Sequence, residues 1–314
     1  MDFVPPKIVF MGSPEFALPT LSALMDHYNV VGVVTQPDRP AGRGNQLTPP
    51  PVKALAQSAN IPVMQPRRIS LPDAFAQLQA WAPDLIVVAA FGQILKPQVL
   101  DLPPFGCLNV HASLLPRWRG AAPIQAAILN GDSHTGVTIM RMDAGIDTGG
   151  VLSQRSLPIL PEDTSLSLGA RLAELGAELL IETLPAYLEG SLPAQAQNEQ
   201  EASYAPMLKK EDGALDFTRP AAALVRQVRA FYPWPGAYLL WKNQLLKVHA
   251  AHAISDDDIV GGGSRQPGAQ LRLGNQPAVK AGEGALVLDV LQPAGKKPQA
   301  GEQFLNGARD WGLA

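Results

Sequence analysis

Two polar side chains lie at the end of a short apolar run that predicts a β-strand, Cys107–Val110. Asn109 and His111 are two residues apart, so an extended backbone directs both to the same side. An amide beside an imidazole can polarise one carbonyl group and transfer one proton. Open α/β sheets place their sites at such strand ends. The alternative interpretation is that Asn109 caps a turn and His111 is a structural histidine of the core.

A carboxylate appears downstream in an equally unusual place. Residues Thr135–Arg141 alternate as a strand does, and the loop Met142–Gly150 follows them. Asp147 lies among glycines in that loop, which contains no lysine or arginine. A carboxylate there can orient His111, as the group behind a general base commonly does. We therefore predict a catalytic site formed by Asn109, His111 and Asp147.

The elements that must position these residues alternate between strand and helix. Apolar runs such as Lys7–Met11 and Asp84–Ala90 predict buried parallel strands, and amphipathic stretches between such runs predict helices. We predict an α/β fold over residues 1–190, with a doubly wound, mostly parallel sheet. The glycine motifs of dinucleotide sites and P-loops are absent, so a Rossmann-type oxidoreductase loses its main support.

The remaining third of the chain has a different pattern. Residues 191–207 are polar and rich in alanine and glutamine, which predicts a linker. Short alternating runs over residues 208–314 predict a small antiparallel β-domain. Residues 1–207 carry 12 basic and 18 acidic side chains, whereas residues 208–314 carry 13 and 10. The small positive excess of the tail weakly favours a polyanionic partner.

Composition narrows the class of protein. The 314 residues are 46% hydrophobic with a net charge of −3, which favours two soluble domains. A single cysteine excludes a disulfide framework and a cysteine-based zinc site, and we expect no metal. No run has the character of a signal peptide or the length of a membrane span, so we expect a cytoplasmic protein without membrane contact.

Several motifs are similar to those of one enzyme family. The pattern N-x-H-x-S-L-L-P-x-x-R-G from Asn109, with an aspartate 38 positions after that asparagine, resembles the folate-dependent formyltransferases. The runs Ser113–Met140 and Thr35–Gly44 are most similar to the members that formylate methionyl-tRNA. The resemblance extends from Lys7 to about Trp311.

This resemblance implies transfer of a formyl group from 10-formyltetrahydrofolate to the α-amine of initiator methionyl-tRNA by a monomeric enzyme. Asn109 and His111 would donate hydrogen bonds to the oxyanion, and Asp147 would hold the imidazole. The folate floor would be formed by Ser113, Leu114, Leu115 and Pro116, and the Leu115–Pro116 bond would be cis. The tail would be an OB-like barrel in contact with tRNA.

A proline- and glycine-rich loop, Gln36–Pro51, is too long for a simple connection. Arg39 and Arg43 within it are candidate phosphate ligands, since a guanidinium group can bind phosphate through two hydrogen bonds. In the resembled enzymes this loop reaches the acceptor end of the tRNA. Lys209 and Lys210 are further candidate tRNA contacts. The alternative is a surface insertion without function.

Two other functions stay open on the sequence. The same catalytic domain could serve another acceptor, such as a nucleotide sugar, glycinamide ribonucleotide or water. The tail and the Gln36–Pro51 loop argue against a single-domain purine enzyme. A non-catalytic tRNA-binding protein is the third possibility, and the intact residues Asn109, His111 and Asp147 argue against it.

Overall fold

The computed structural model describes residues 5–41, 46–259 and 266–312. The chain divides into two compact units. The N-terminal unit consists of Met1–Pro123, His134–Pro158 and Gly169–Pro206. The C-terminal unit consists of Ile124–Ser133, Ile159–Leu168 and Met207–Ala314. Two internal segments thus group with the C-terminal unit.

The strands are numbered in chain order. They are β1 (Lys7–Gly12), β2 (Asn29–Val34), β3 (Arg39–Ala41), β4 (Gln46–Thr48), β5 (Val63–Met64), β6 (Leu85–Ala89), β7 (Cys107–His111), β8 (Arg119–Gly120), β9 (His134–Arg141), β10 (Val151–Pro158), β11 (Tyr204–Ala205), β12 (Ala237–Trp241), β13 (Gln244–Ile254), β14 (Gln270–Leu273), β15 (Gln276–Lys280), β16 (Ala285–Pro293) and β17 (Gln299–Ala300). The α-helices are α1 (Leu18–His27), α2 (Pro51–Ser58), α3 (Pro72–Ala80), α4 (Pro97–Leu100), α5 (Pro123–Asn130), α6 (Ser165–Leu188), α7 (Ala221–Ala230) and α8 (Gly301–Gly307).

The N-terminal unit is built on a seven-stranded sheet with the order β10-β9-β7-β6-β1-β2-β5. Strands β1, β2, β5, β6 and β7 run parallel, which confirms the predicted α/β fold. Strand β9 is antiparallel to both β7 and β10. A short loop, residues 142–150, joins β9 to β10, and such a loop permits only an antiparallel pair because a parallel crossover needs a dozen or more residues.

The chain order of this sheet creates a crevice at the carboxyl ends of two central strands, β1 and β6. From β1 the chain builds β2 and β5 on one side and then β6 and β7 on the other. The direction of winding therefore reverses between β1 and β6, and ligands of open α/β sheets bind outside the carboxyl ends of strands at such a point. Residues Ile8–Met11 of β1 are fully buried, so this part of the sheet is a rigid support.

Two small strand pairs occur where the sequence predicts irregular structure. Within Gln36–Pro51, strands β3 and β4 pair antiparallel. Within the predicted linker 191–207, strand β11 pairs in parallel with β8. Strands this short have too few residues to show an alternating pattern, and their pairing depends on a partner elsewhere in the chain.

The C-terminal unit contains an antiparallel sheet with the order β12-β13-β16-β15-β14, and β17 pairs with β16. This confirms the small antiparallel domain. The pattern does not predict β15, because Pro277 interrupts its apolar alternation and proline is unusual inside a sheet. Over the described ranges, no helix combines the length and the apolar character that crossing a bilayer requires.

Trp311 stabilises the C-terminal unit. Its side chain is fully buried, its ring packs edge-on against Phe304 at 5.4 Å, and its Nε1 donates to the Leu271 carbonyl at 3.0 Å. Trp311→Ala should lower the free energy of unfolding by about 3–5 kcal/mol, measured by urea denaturation. Trp234→Ala is the control, since that tryptophan is 53% exposed and should cost about 0.5 kcal/mol or less. Equal losses would show that Trp311 is not a core residue.

Candidate active site

The structure brings Asn109, His111 and Asp147 together at the carboxyl end of β7. Asn109 Nδ2 donates to Asp147 Oδ1 at 3.3 Å, and His111 Nδ1 lies 3.6 Å from Asp147 Oδ2. The imidazole is 6% exposed and the carboxylate 15% exposed, so the pair is largely shielded from water. An amide, an imidazole and a carboxylate therefore lie close together beside β7, as the sequence predicts.

The ring of His111 is fixed by a hydrogen bond on the side away from Asp147. Its Nε2 lies 3.0 Å from the carbonyl oxygen of Trp118. A carbonyl oxygen only accepts hydrogen bonds, so Nε2 carries a proton here. Nδ1 is then the ring atom that can exchange a proton with a bound reactant, and it lies on the side of Asp147.

Asp147 adopts a left-handed backbone conformation, with φ at 54°. Aspartate reaches this region more readily than most side chains, but the conformation must still be stabilised by its surroundings. The backbone N–H of Gly120 donates to Asp147 Oδ2 at 2.8 Å. The carboxylate thus accepts hydrogen bonds from Gly120 and from Asn109, and these two contacts set its direction.

Two residues outside the predicted set complete the support of this loop. Gln197 Nε2 donates to the carbonyl oxygens of Asp147 at 2.8 Å and of Gly149 at 2.7 Å. Arg119 is fully buried, and its Nε and Nη2 donate to Gln197 Oε1 at 3.0 and 2.9 Å. The sequence gives no signal for Gln197, because it stands in a polar stretch without periodicity.

The far edge of the Arg119 guanidinium is neutralised by Glu199. Nη1 and Nη2 of Arg119 donate to its two carboxylate oxygens at 2.8 and 2.7 Å. This hydrogen-bonded pair raises the pKa of Arg119 and lowers the pKa of Glu199. Arg117, which also flanks the predicted site, is instead exposed and stacks over the ring of Trp118 at 4.6 Å. The two arginines therefore have different roles.

Two clefts open on the N-terminal unit. One, of about 510 Å³, lies at the carboxyl ends of β1, β2 and β6, and its lining includes Ser13, Gln36, Arg39, Pro50 and Phe91. The other, of about 400 Å³, flanks the loop that carries Asp147, and its lining includes Pro97, Leu100, Gly106, Met142 and Gly149. Both volumes fall within the range of small-molecule sites.

The segment Ser113–Pro116 follows β7 and is mostly inside the protein. Ser113 is fully buried and Leu115 is 4% exposed. Their backbone groups bond to the neighbouring strands: Leu115 N donates to Thr138 Oγ1 at 3.1 Å, and Leu115 O accepts from Gln154 Nε2 at 2.8 Å. The Leu115–Pro116 bond is cis, as predicted. Neither described cleft is lined by this segment, and its contact with folate stays a prediction.

The structure describes three of the four predicted phosphate ligands. Arg39 is exposed at the rim of the larger cleft. The adjacent carboxylate of Asp38 accepts a hydrogen bond from Gln65 and pairs with Lys53 at 2.7 Å, and both contacts lower the Asp38 pKa. The carboxylate of Asp38 is therefore bound to Lys53 and Gln65. Lys209 and Lys210 are exposed in the C-terminal unit, and Arg43 lies outside the described residues.

The single cysteine is not a candidate nucleophile. Cys107 is buried at the start of β7, and this burial, followed by the nearby charge of Asp101, raises the pKa of its thiol to about 12. The thiolate is the reactive form, so the thiol is inert near neutral pH. Proton transfer and oxyanion stabilisation at Asn109, His111 and Asp147 are then the chemistry that the site offers.

A shielded amide, imidazole and carboxylate at a strand end suit transfer of a carbonyl-containing group. Two family models agree with this chemistry: formyl transferase over residues 6–184 and formyl transferase C-terminal domain over residues 207–309. The chain belongs to the formyl transferase family. It is 51% identical to the methionyl-tRNA formyltransferase of Myxococcus xanthus (strain DK1622), over 96% of this chain and 95% of that protein.

Further relatives agree with this assignment. The methionyl-tRNA formyltransferase of Geobacter sulfurreducens is 48% identical over 96% of this chain and 94% of its own. Among solved structures, the sugar 3N-formyl transferase WlaRD has a TM-score of 0.66 at 18% identity, covering 94% of this chain and 100% of that chain. HypX from Aquifex aeolicus in complex with tetrahydrofolic acid has a TM-score of 0.63 at 17% identity, covering 96% and 47%. These two structures establish similarity of fold.

Proposed function

We propose that this protein transfers the formyl group of 10-formyltetrahydrofolate to the α-amine of methionine esterified to initiator tRNA. The observation that carries the proposal is the convergence of Asn109, His111 and Asp147 at the end of β7. The sequence identity of 51% and 48% to two methionyl-tRNA formyltransferases, over 96% of the chain, supports the choice of acceptor. We further propose a monomeric enzyme that acts in the cytoplasm, where charged initiator tRNA is found.

The folate donor supplies the formyl carbonyl that the amine attacks. Asn109 Nδ2 and protonated His111 Nδ1 donate hydrogen bonds to its oxygen, which becomes negatively charged as the new C–N bond forms. Asp147 stabilises the imidazolium form of His111 and accepts the amine proton directly or through water. When the bond to the leaving nitrogen breaks, the same groups return a proton to that nitrogen.

The donor should bind at the carboxyl end of β7, beside Asn109, His111 and Asp147. The smaller cleft is a poor candidate for it, because Gly106 and Arg141 in its lining lie at the amino end of β7. Ser113, Leu114, Leu115 and Pro116 remain predicted to contact the donor from the strand end.

The larger cleft fits the acceptor end of a tRNA. It lies at the crevice between β1 and β6, and Arg39 stands exposed at its rim. Because Asp38 is paired with Lys53, the charge of Arg39 is available for a phosphate group. We propose that Arg39 and Arg43 hold the phosphates of the acceptor stem, and that Lys209 and Lys210 add a weaker attraction from the tail.

Arg43→Ala and Arg39→Ala should each raise KM for charged tRNA and flatten its dependence on salt, by roughly one unit of slope per lost phosphate contact. Folate binding should stay within about twofold. Kinetics at several salt concentrations, together with folate titration, would measure both effects. Arg68→Ala is the charge-matched control, since Arg68 is exposed and lines neither cleft. If Arg43→Ala weakened folate binding but not tRNA binding, the loop would instead cover the folate site.

The acceptor is tested directly by supplying 10-formyltetrahydrofolate with charged initiator tRNA and detecting formylmethionine after release from the tRNA. Parallel reactions replace the tRNA with an amino-sugar nucleotide or with water alone. Turnover only with charged tRNA is the expected result. Turnover with the amino sugar, or binding of tRNA without turnover, would each replace the proposed function by one of the alternatives.

A further inference from the structure

We propose that Gln197, oriented by Arg119, is a positioning residue for Asp147. This proposal rests on the catalytic role proposed for that carboxylate. Gln197 lies in the segment between the last main-sheet strand of the N-terminal unit and the C-terminal domain, far in sequence from the strand that carries Asn109 and His111. Its amide nevertheless touches the loop at the residue that faces His111.

The contacts of Gln197 fall on the backbone of Asp147 itself. Nε2 donates to the carbonyl oxygens of Asp147 and Gly149, at 2.8 and 2.7 Å. Elsewhere the loop is held by Asp143, whose Oδ1 accepts from Gly145 N at 3.0 Å and from Thr148 Oγ1 at 2.7 Å. Those bonds stabilise the turn but do not reach the carbonyl groups of Asp147 or Gly149. Gln197 therefore restrains the part of the loop that aims the carboxylate.

The chemistry of the contact requires an amide. Arg119 can only donate, so Gln197 Oε1 must accept, and the two backbone carbonyls can only accept, so the other terminal atom must donate. A glutamate in this place would direct a carboxylate oxygen at both carbonyl groups. A hydrophobic side chain would leave the buried guanidinium of Arg119 with fewer acceptors.

The backbone around Gln197 is fixed independently of its side chain. Val151 and Gln195 exchange two backbone hydrogen bonds, each of 2.8 Å. On the other side, β11 pairs with β8, and Arg119 N donates to Ser203 O at 2.8 Å. A substitution of Gln197 should therefore release the Asp147 loop while the segment stays in place. A displacement of about 1 Å at a reacting group can reduce the rate about 100-fold.

The test is a double-mutant cycle with Gln197→Glu and Asp147→Asn. For each variant, kcat is measured together with KM for tRNA and KM for folate. Gln197→Glu alone should lower kcat by about 10- to 100-fold, with both KM values within about threefold. In the Asp147→Asn background it should lower kcat by less than about twofold further, because residues that act through one group are not additive. A role in stability alone would give the same fold loss in both backgrounds.

Gln227→Glu is the matched control in the C-terminal unit. Gln227 also accepts from an arginine, Arg219 Nη1 at 3.3 Å, and donates to two backbone carbonyls, those of Asp212 at 2.9 Å and Ala214 at 3.0 Å. Gln227→Glu should lower the melting temperature about as much as Gln197→Glu does, but it should leave kcat unchanged. If Gln197→Glu kept the wild-type kcat while Asp147→Asn was inactive, the positioning role of Gln197 would be overturned and the proposed function would stand. Full activity of Asp147→Asn would instead overturn the proposed catalytic role.

Discussion

Asp147→Asn should lower kcat by about 10²–10⁴-fold, the range typical of a lost general acid–base group. The asparagine keeps the shape but not the charge, and the site offers it two donors, Gly120 N at 2.8 Å and Asn109 Nδ2 at 3.3 Å. An amide can accept from one of them but must turn its NH₂ group toward the other. His111→Ala and Asn109→Ala should each cost about 10²–10³-fold, since each removes a donor to the oxyanion.

Single-turnover kinetics would separate these losses in chemistry from losses in binding. Asp84→Asn is a suitable control, because Asp84 Oδ2 also accepts one backbone N–H, that of Lys7 at 2.8 Å, but before the amino end of β6. It should retain wild-type turnover. Unchanged rates in folded Asp147, His111 and Asn109 variants would remove them from the mechanism. A collapse of the melting temperature in His111→Ala would favour the alternative of a structural histidine.

Gly120→Ala should abolish most turnover and lower the melting temperature. Gly120 has φ at 110°, a region that alanine rarely adopts, and a Cβ atom there would lie 2.6 Å from the carbonyl oxygen of Ala205. To relieve this overlap, β8 must move away from β11. The N–H that holds Asp147 moves with β8. We expect a kcat loss of at least about 100-fold, because the carboxylate loses its shortest hydrogen bond.

The cost of the backbone conformation alone can be measured at Gly190. That residue has φ at 76°, and a Cβ atom there would meet nothing within 4 Å. Gly190→Ala should lower the free energy of unfolding by about 1 kcal/mol and leave kcat unchanged. If Gly120→Ala lost no more activity than Gly190→Ala, the pairing of β8 with β11 would not matter for catalysis. Melting curves and initial rates of both variants would decide this.

Local patterns in the sequence predict the main sheet and the residues of the candidate site. Helix α6, Ser165–Leu188, shows a helical periodicity in the sequence over all of its 24 residues. Asn109 and His111 stand out because polar side chains interrupt an apolar strand. Asp147 reaches them although antiparallel β9 ends opposite Leu108, at the start of β7, because Asn109 and the N–H of Gly120 bind its carboxylate.

What the sequence does not reveal depends on contacts between distant segments. Strands β8 and β11 have two residues each, and no pattern in either segment indicates that they pair. The position of Gln197 follows from that pairing and from the bridge between Val151 and Gln195. The hydrogen bond of His111 to a backbone carbonyl is similarly invisible, because any residue at position 118 would supply the same acceptor.

The pairing of β8 with β11 also bears on how the enzyme is made on the ribosome. The nascent chain completes the main sheet once β10, which ends at Pro158, has emerged. Gln197 and β11 are synthesised later, beyond the part of the chain that matches the first family model, which ends at residue 184. The strands of the main sheet are thus all synthesised before Gln197, and a chain that ends at residue 184 lacks the side chain that holds the Asp147 loop.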